Sequence, residues 1–420
     1  MPLFLNSKRW KTTFLISAGG GIEYYDFAIF AIFAVSIGQS FFPSESQAVS
    51  LISAFAVFAS GYLARPIGGF IFSHLGDRYG RKKSFSLSIS IMAISTLLMA
   101  FVPTHAQIGI SATLIFLCLR IIQGIALGGE IPGAITYVVE TVRSRPSLAT
   151  GIVFAFFSIG IIFANGTNAI LMEIIPITYF HSVAWRIAFI FGSVLGIAIF
   201  ILRRKLEETP SFLSQENRIE KLPLFALLRE HPRNVLAGTL IVASIASITS
   251  MLFLFMVTYL KLIPNYSLKN IAFFTIIPLM ILPFSCTFWG FICDYLPRKK
   301  VFGLILLLNI LTAYWLYNSL ISHNAALLPY FIMVFYTSIM AGLYPVVLAQ
   351  MFPTHVRFSG TATCYNISYA IFGGLSPMIA TYFIESHGDY LAPAWIIIIT
   401  CLLSLLGLAI AKSPQHENHL

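Results

Sequence analysis

The chain has 420 residues, 58% of them hydrophobic and 10% charged, with a net charge of +10 and a mean hydropathy of +0.85. A water-soluble domain carries about a quarter charged residues, so the composition excludes one and indicates a polytopic membrane protein. The basic excess lies in short loops between apolar runs, the pattern of a topology signal and not of a nucleic-acid-binding surface.

The apolar runs are about 20 residues or longer, enough to cross a hydrocarbon core of about 30 Å. That length excludes a transmembrane barrel, whose strands take about 10 residues. The first run, approximately 14–41, follows Lys8, Arg9 and Lys11 and contains "GGGIEYYDF", with Glu23 and Asp26 on one helical face. It is too long for a signal-peptide core and reads as an uncleaved first span. The second run, approximately 48–75, holds Arg65 before Pro66 and leads into "SHLGDRYGRKK", which carries Asp77, Arg78, Gly80 and Arg81. A third run covers approximately 84–103. The fourth, 108–140, contains "RIIQGIALGGE" with Arg120, Gln123 and Glu130, and closes on Glu140. The fifth, 147–172, carries Asn165 and Asn168; the sixth covers 184–202.

The one long polar segment, 203–233, comes next, followed by runs at approximately 234–260, 269–293, 301–321, 327–351, 358–385 and 391–411. After the eighth run, "GFICDYLPRKK" repeats the earlier loop: Asp294 corresponds to Asp77 and Arg298 to Arg81, both at an offset of 217 residues. The eleventh run carries Tyr365 and Asn366. The expected fold is an all-α polytopic membrane protein of twelve transmembrane helices. It divides into a half at 1–202, a linker at 203–233 and a half at 234–420, as two parallel six-helix repeats.

Loop charges alternate along this layout. "PSESQ" and "PTHAQ" carry no Lys or Arg, whereas the loops at Arg78 to Lys83, Arg143 to Arg145 and Arg203 to Arg233 are basic. The positive-inside rule therefore puts both termini and the linker in the cytoplasm, with Lys261 and Lys269 running against it. Cys118, Cys286, Cys293, Cys364 and Cys401 form no CxxC pair, and no His pairs with Cys or Asp at a metal spacing. There is no P-loop, G-x-S-x-G or HExxH, so neither enzyme chemistry nor a cofactor is expected. An ion gradient remains as the energy source.

"GDRYGRKK" and its degenerate copy resemble the loop signature of the major facilitator superfamily, and "RIIQG" resembles its fourth-helix motif. "EYYDF", "LARPIGGF", "GGEIPGA", "WRIAF", "LEETPSF" and "FPTHVRFSGTA" are similar, in order along the chain, to the metabolite:proton symporter family. That family's proline/betaine, α-ketoglutarate, citrate and shikimate transporters are the nearest in kind. The chain departs from the family at Gly20, Tyr24, Ser73 and Ile131; Gly20, Tyr24 and Ile131 fall near the expected cavity, so the resemblance leaves the substrate open. The chain ends without the heptads of the osmosensing proline/betaine transporter.

The resemblance implies symport of a small organic solute, a carboxylate or zwitterion, with a proton. The site would be a monomer's central cavity in a bacterial inner membrane. The same fold also serves proton-coupled exporters, and a transporter-like sensor is the reading from a different class. The resemblance further implies that Asp26 is matched with Arg120, and that Arg81 pairs with Glu140 as a cytoplasmic gate with Asp77, Arg78 and Gly80, mirrored by Asp294 and Arg298.

Carboxylates in lipid cost about 3 kcal/mol each at mid-helix, an amount the surrounding apolar residues offset. At a rise of about 1.5 Å per residue, Glu23, Asp26, Arg65 and Glu130 fall about 15–21 Å from the basic end, and Arg120 about 30 Å. Burial favours a protonated carboxyl and a nearby cation favours an ionised one, so Asp26 with Arg120 is either a proton switch or a fixed ion pair. Glu23 is a relay, a ligand for a substrate ammonium or a structural acceptor. Arg65 meets a substrate carboxylate or packs a helix, and Glu130 handles protons or bonds backbone freed by Pro132. Tyr24, Gln123, Asn165, Asn168, Tyr365 and Asn366 are candidate substrate contacts, although Asn also serves as interhelical glue.

Overall fold

The computed structural model describes residues 7–43, 47–214, 223–263, 268–323 and 326–412. Arg218 and Lys221 of the linker, His416 and His419, and most of "PSESQ" lie outside them. Twelve helical spans follow one another. The first, α1, is Ser7–Ile32, continued by Ala34–Phe41; α2 is Gln47–Tyr79, α3 Arg81–Phe101 and α4 Ile110–Thr141. Next come α5, Pro146–Ile174, and α6, Trp185–Arg203. Span α7 runs Pro232–Thr249, through a π-helical turn Ser250–Phe255, to Met256–Leu262. Then come α8, Leu268–Cys293, α9, Arg298–Ile321, and α10, Leu327–Gln350. Span α11 is Arg357–Ser368, a π turn Tyr369–Gly373, and Ser376–His387; α12 is Ala392–Ile410.

Ten helices among the described residues are long and apolar enough to cross a membrane, and the two parts of α1, bent by 64° at Phe33, make an eleventh crossing. Span α2, with its three interior or terminal charges, is 33 residues long, or about 50 Å, and completes the twelve. Large apolar side chains face outward around the bundle, Leu63, Phe284, Leu311 and Met378 among them. Water would penalise that surface and lipid does not, so the chain is an integral multi-pass membrane protein.

Helix pairing repeats with the chain. In the first half α1 packs on α5, α2 on α4 and α3 on α6; six helices later α7 packs on α11, α8 on α10 and α9 on α12. The two sets meet through α5 with α8 and through α2 with α11. Close approach needs small residues where backbones touch. A Cβ on Gly128 of α4 would stand 2.1 Å from the Arg65 carbonyl oxygen of α2, so any side chain there would force apart the pair that carries Arg65 and Arg120.

The two ends differ. At the end carrying Asp77 and Asp294, the basic end, the halves are joined. At the other end, Ala34–Phe41, Met256–Leu262 and Ser376–His387 make their main contacts within their own halves. The expected sixth span stops at 202, with Arg203 in the linker. Instead Arg203 is the last residue of α6 and fully buried, because its guanidinium is held by a buried carboxylate described below.

Candidate functional site

The charged centre is built on α1, whose Glu23 and Asp26 lie one turn apart and are 1% and 5% exposed. Glu23 Oε1 accepts from Arg65 Nη2 of α2 at 2.5 Å. Asp26 Oδ2 accepts from Thr96 Oγ1 of α3 at 2.7 Å and from Gln123 Nε2 of α4 at 3.3 Å. Arg120 Nη1 donates to the Oε1 of that same Gln123 at 2.5 Å, and its guanidinium lies over the Phe30 ring. Gln123 therefore stands as a bridge between Asp26 and Arg120, which sequence alone could pair but not connect. Asp26 Oδ1 and Glu23 Oε2 are both buried and accept no hydrogen bond from a described group.

Glu130 forms a separate pair. Its Oε1 accepts from Arg203 Nη2 at 2.6 Å and its Oε2 from Ser88 Oγ at 2.7 Å. Arg203 also donates to the carbonyls of Phe85 and Ile16 and lies 3.6 Å from the centre of the Phe85 ring. Neither Arg203 nor Thr96 and Ser88 was singled out from the sequence. Arg203 sits in a basic run that topology already explains. The two hydroxyls lie in an apolar helix, where Ser and Thr usually bond their own backbone.

Around Arg65 lie aromatic rings from both halves. Tyr24 stacks on Phe157 at 4.4 Å, Phe157 meets Phe154 at 4.8 Å, and Phe154 meets Tyr344 of α10 at 5.6 Å. Tyr365 stacks at 4.4 Å on Tyr369, the first residue of the π turn of α11. The Arg65 guanidinium is 4.8 Å from the Tyr62 ring centre and within electrostatic range of Tyr24 and Tyr365. The π turns of α7 and α11 are tied by Ser250 Oγ donating to the Gly373 carbonyl at 2.7 Å. Asn366 is 2% exposed and donates to the Gly128 carbonyl at 2.8 Å, joining α11 to α4. Asn165 and Asn168 are not brought to this centre. Asn165 is exposed further along α5 and bonds back to the Ile161 carbonyl, and Asn168 to the Met172 sulfur.

About 18 Å from Arg65 along α2, the basic end is closed by two interlocks. Asp77 accepts from Phe358 N at 3.3 Å, Ser359 N at 2.8 Å and Ser359 Oγ at 2.7 Å, at the N-terminus of α11 where the helix dipole favours an anion. Arg81 pairs with Asp77 at 2.8 Å and with Glu140 at 3.3 Å, and donates to the Thr354 carbonyl at 2.7 Å. Arg357 joins Glu140 from the other half at 3.4 Å. Gly80 makes the turn at φ 109°, a region that favours glycine. Its neighbours Arg81 and Lys82 donate their backbone N–H groups to Glu208 of "LEETPSF". Arg78 lies over the Tyr79 ring.

The second interlock mirrors the first. Asp294 accepts from Ser147 N at 2.8 Å and Leu148 N at 3.1 Å at the N-terminus of α5, and Arg298 donates to Ser147 Oγ at 3.0 Å. In each case the loop acid of one half caps a helix of the other. The repeat legible at an offset of 217 residues is thus a two-fold lock in space.

Residues 16–371 match the model of the Major Facilitator Superfamily. The chain is 32% identical over 413 residues to a Staphylococcus haemolyticus protein provisionally named a proline/betaine transporter, covering 95% of this chain and 87% of that one. It is 31% identical to a Salmonella typhi protein named citrate-proton symporter, over 94% of this chain and 92% of that one. Its fold matches the solved structure of the proton:xylose symporter XylE with a TM-score of 0.75 at 15% identity, covering 95% of both chains. The twelve-helix bundle, its mirrored interlocks and these likenesses agree: the chain belongs to the Major Facilitator Superfamily.

Proposed function

We propose that the chain is a secondary transporter of the bacterial inner membrane that takes up a small zwitterion together with a proton by alternating access. The observation that carries this reading is the carboxylate of Asp26. One of its oxygens is held by Thr96 and Gln123 while the other is buried without a donor. An ionised carboxylate in that setting leaves a charged acceptor unsatisfied, and a proton on Oδ1 removes the penalty. The symporter names of relatives and structural neighbours support the same chemistry.

In this reading Asp26 carries the coupled proton and Arg120, through Gln123, adjusts its affinity as α4 moves against α1. Glu23 shares Arg65 with the solute. When Glu23 is protonated, Arg65 is released to a solute carboxylate, while the rings of Tyr24, Tyr62 and Tyr369 suit a cationic nitrogen. That pairing of one guanidinium with an aromatic band favours a proline- or betaine-like zwitterion over a tricarboxylate, which would ask for a cation at each carboxylate. Gln123 and Asn366 position helices around the cavity, and Glu130 with Arg203 braces α4 on α6. Asp77, Arg78, Arg81, Glu140, Asp294 and Arg298 hold the cytoplasmic end shut while the cavity faces outward.

The termini and the linker between α6 and α7 are cytoplasmic in this orientation, the halves are α1–α6 and α7–α12, and one chain works alone on the proton gradient without a cofactor. The test is uptake by proteoliposomes of betaines, proline, dicarboxylates and citrate, with and without an inward proton gradient. We expect gradient-dependent accumulation of a betaine or proline. Accumulation of citrate alone would overturn the zwitterion assignment, and no gradient dependence for any solute would overturn symport.

A further inference from the structure

Outside the charged centre and the interlocks, one group of ligand-type side chains converges among the described residues. Glu230, His231 and His355 each bring one ligand atom to within 4.8 Å of the others. Glu230 ends the linker helix Pro223–Glu230, His231 is the residue on which α7 begins, and His355 lies in the single turn Thr354–Val356 before α11. No spacing in the sequence marks this set, since folding joins the start of α7 to the start of α11.

We propose that Glu230, His231 and His355 form a binding site for a divalent transition-metal ion of the zinc class, and that the bound ion steadies the closed basic end and slows transport. Two imidazoles and one carboxylate are a donor set that zinc accepts with a fourth position left for water, whereas magnesium and calcium prefer oxygen alone. Ligands at zinc bond lengths stand about 3.4 Å apart. Shortening the separations by about 1.4 Å closes the set; Glu230 is exposed, and His231 and His355 are half-buried.

Nearby guanidiniums are engaged elsewhere: Arg233 with the Ile410 carbonyl at 2.8 Å, and Arg357 with the carbonyls of Ala349 and Phe352 and with Glu140. The mechanical consequence follows from the neighbours. The Pro223–Glu230 helix packs against α2, α11 and the Thr354–Val356 turn. The Thr354 carbonyl, next to His355, is the acceptor for Arg81 in the first interlock. An ion bound here holds that turn in its closed arrangement, and a ligand that prefers one conformation shifts the population toward it.

The effect on transport rests on the proposed function; the site itself does not. Zn²⁺ alone is titrated into the purified full chain by calorimetry, for the wild type and for His231→Ala/His355→Ala. Uptake is measured in parallel with and without Zn²⁺. We expect one saturable equivalent in the wild type, with affinity at least about 100-fold lower in the double variant. We expect wild-type uptake to fall by more than half and to recover on chelation, and uptake by the variant to match the metal-free wild type with or without Zn²⁺. Absent saturable binding, or equal affinity in the variant, overturns the site. Binding that leaves wild-type uptake unchanged overturns its role in transport, and binding lost in the variant supports the site even if no solute is found.

Discussion

Asp26→Asn is expected to abolish uphill accumulation of the solute while leaving solute-for-solute exchange in place. The amide has nearly the shape of the protonated carboxyl and keeps an oxygen for Thr96 and Gln123, so the α1–α3–α4 contacts survive. What it lacks is the ability to release a proton. A two-unit pH gradient supplies about 2.7 kcal/mol per proton, enough to concentrate the solute about 100-fold. The variant should therefore fall from a ratio near that limit to about 1. Uptake with and without the gradient, and counterflow from preloaded vesicles, measure the two halves of the claim. Loss of both activities would make Asp26 a structural residue, and full retention of accumulation would remove it from coupling.

The second large effect is on stability. Arg203→Ala leaves Glu130 buried with Ser88 as its one remaining donor in the pair, and leaves the Ile16 and Phe85 carbonyls without the guanidinium. Breaking a buried ion pair by removing one partner costs about 3–5 kcal/mol. The purified variant should melt well below the wild type or fail to accumulate in the membrane. Replacing both partners, Glu130→Leu with Arg203→Met, removes the stranded charge and should recover most of that loss. Arg203→Lys should be intermediate, because a point charge cannot serve Glu130, two carbonyls and the Phe85 ring together. A melting curve for Arg203→Ala that overlays the wild type would show that this residue is only a topology signal.

The interlocks were the most legible part of the sequence, because the first turns on a glycine at Gly80 and the acids of both recur at a constant offset. Asp77 and Asp294 meet helix N-termini as an anion should, and Arg81 reaches Glu140. Within the charged centre, the residues of α1 were legible because lipid makes a carboxylate conspicuous. Their partners were less so. Thr96 is an ordinary hydroxyl in an apolar helix, and Gln123 was read as part of a motif without its link to Asp26. Arg65 and Glu23 were each given open roles, and the structure pairs them. Arg203 was hidden by its neighbours Arg204 and Lys205, which account for a basic loop without it. Asn165 and Asn168 drew notice as polar groups in an apolar helix, and their amide nitrogens bond locally, to the Ile161 carbonyl and the Met172 sulfur. The Glu230, His231 and His355 set is invisible to any spacing rule, since it depends on where α7 and α11 begin in space.

The central claim is that solute and proton move together through the site that holds Asp26. The most direct measurement is the pH of a weakly buffered suspension of proteoliposomes when a betaine or proline is added with no gradient imposed. Coupled entry predicts prompt alkalinisation outside the vesicles for the wild type and none for Asp26→Asn. Solute entry into wild-type vesicles with no change in external pH would contradict the account.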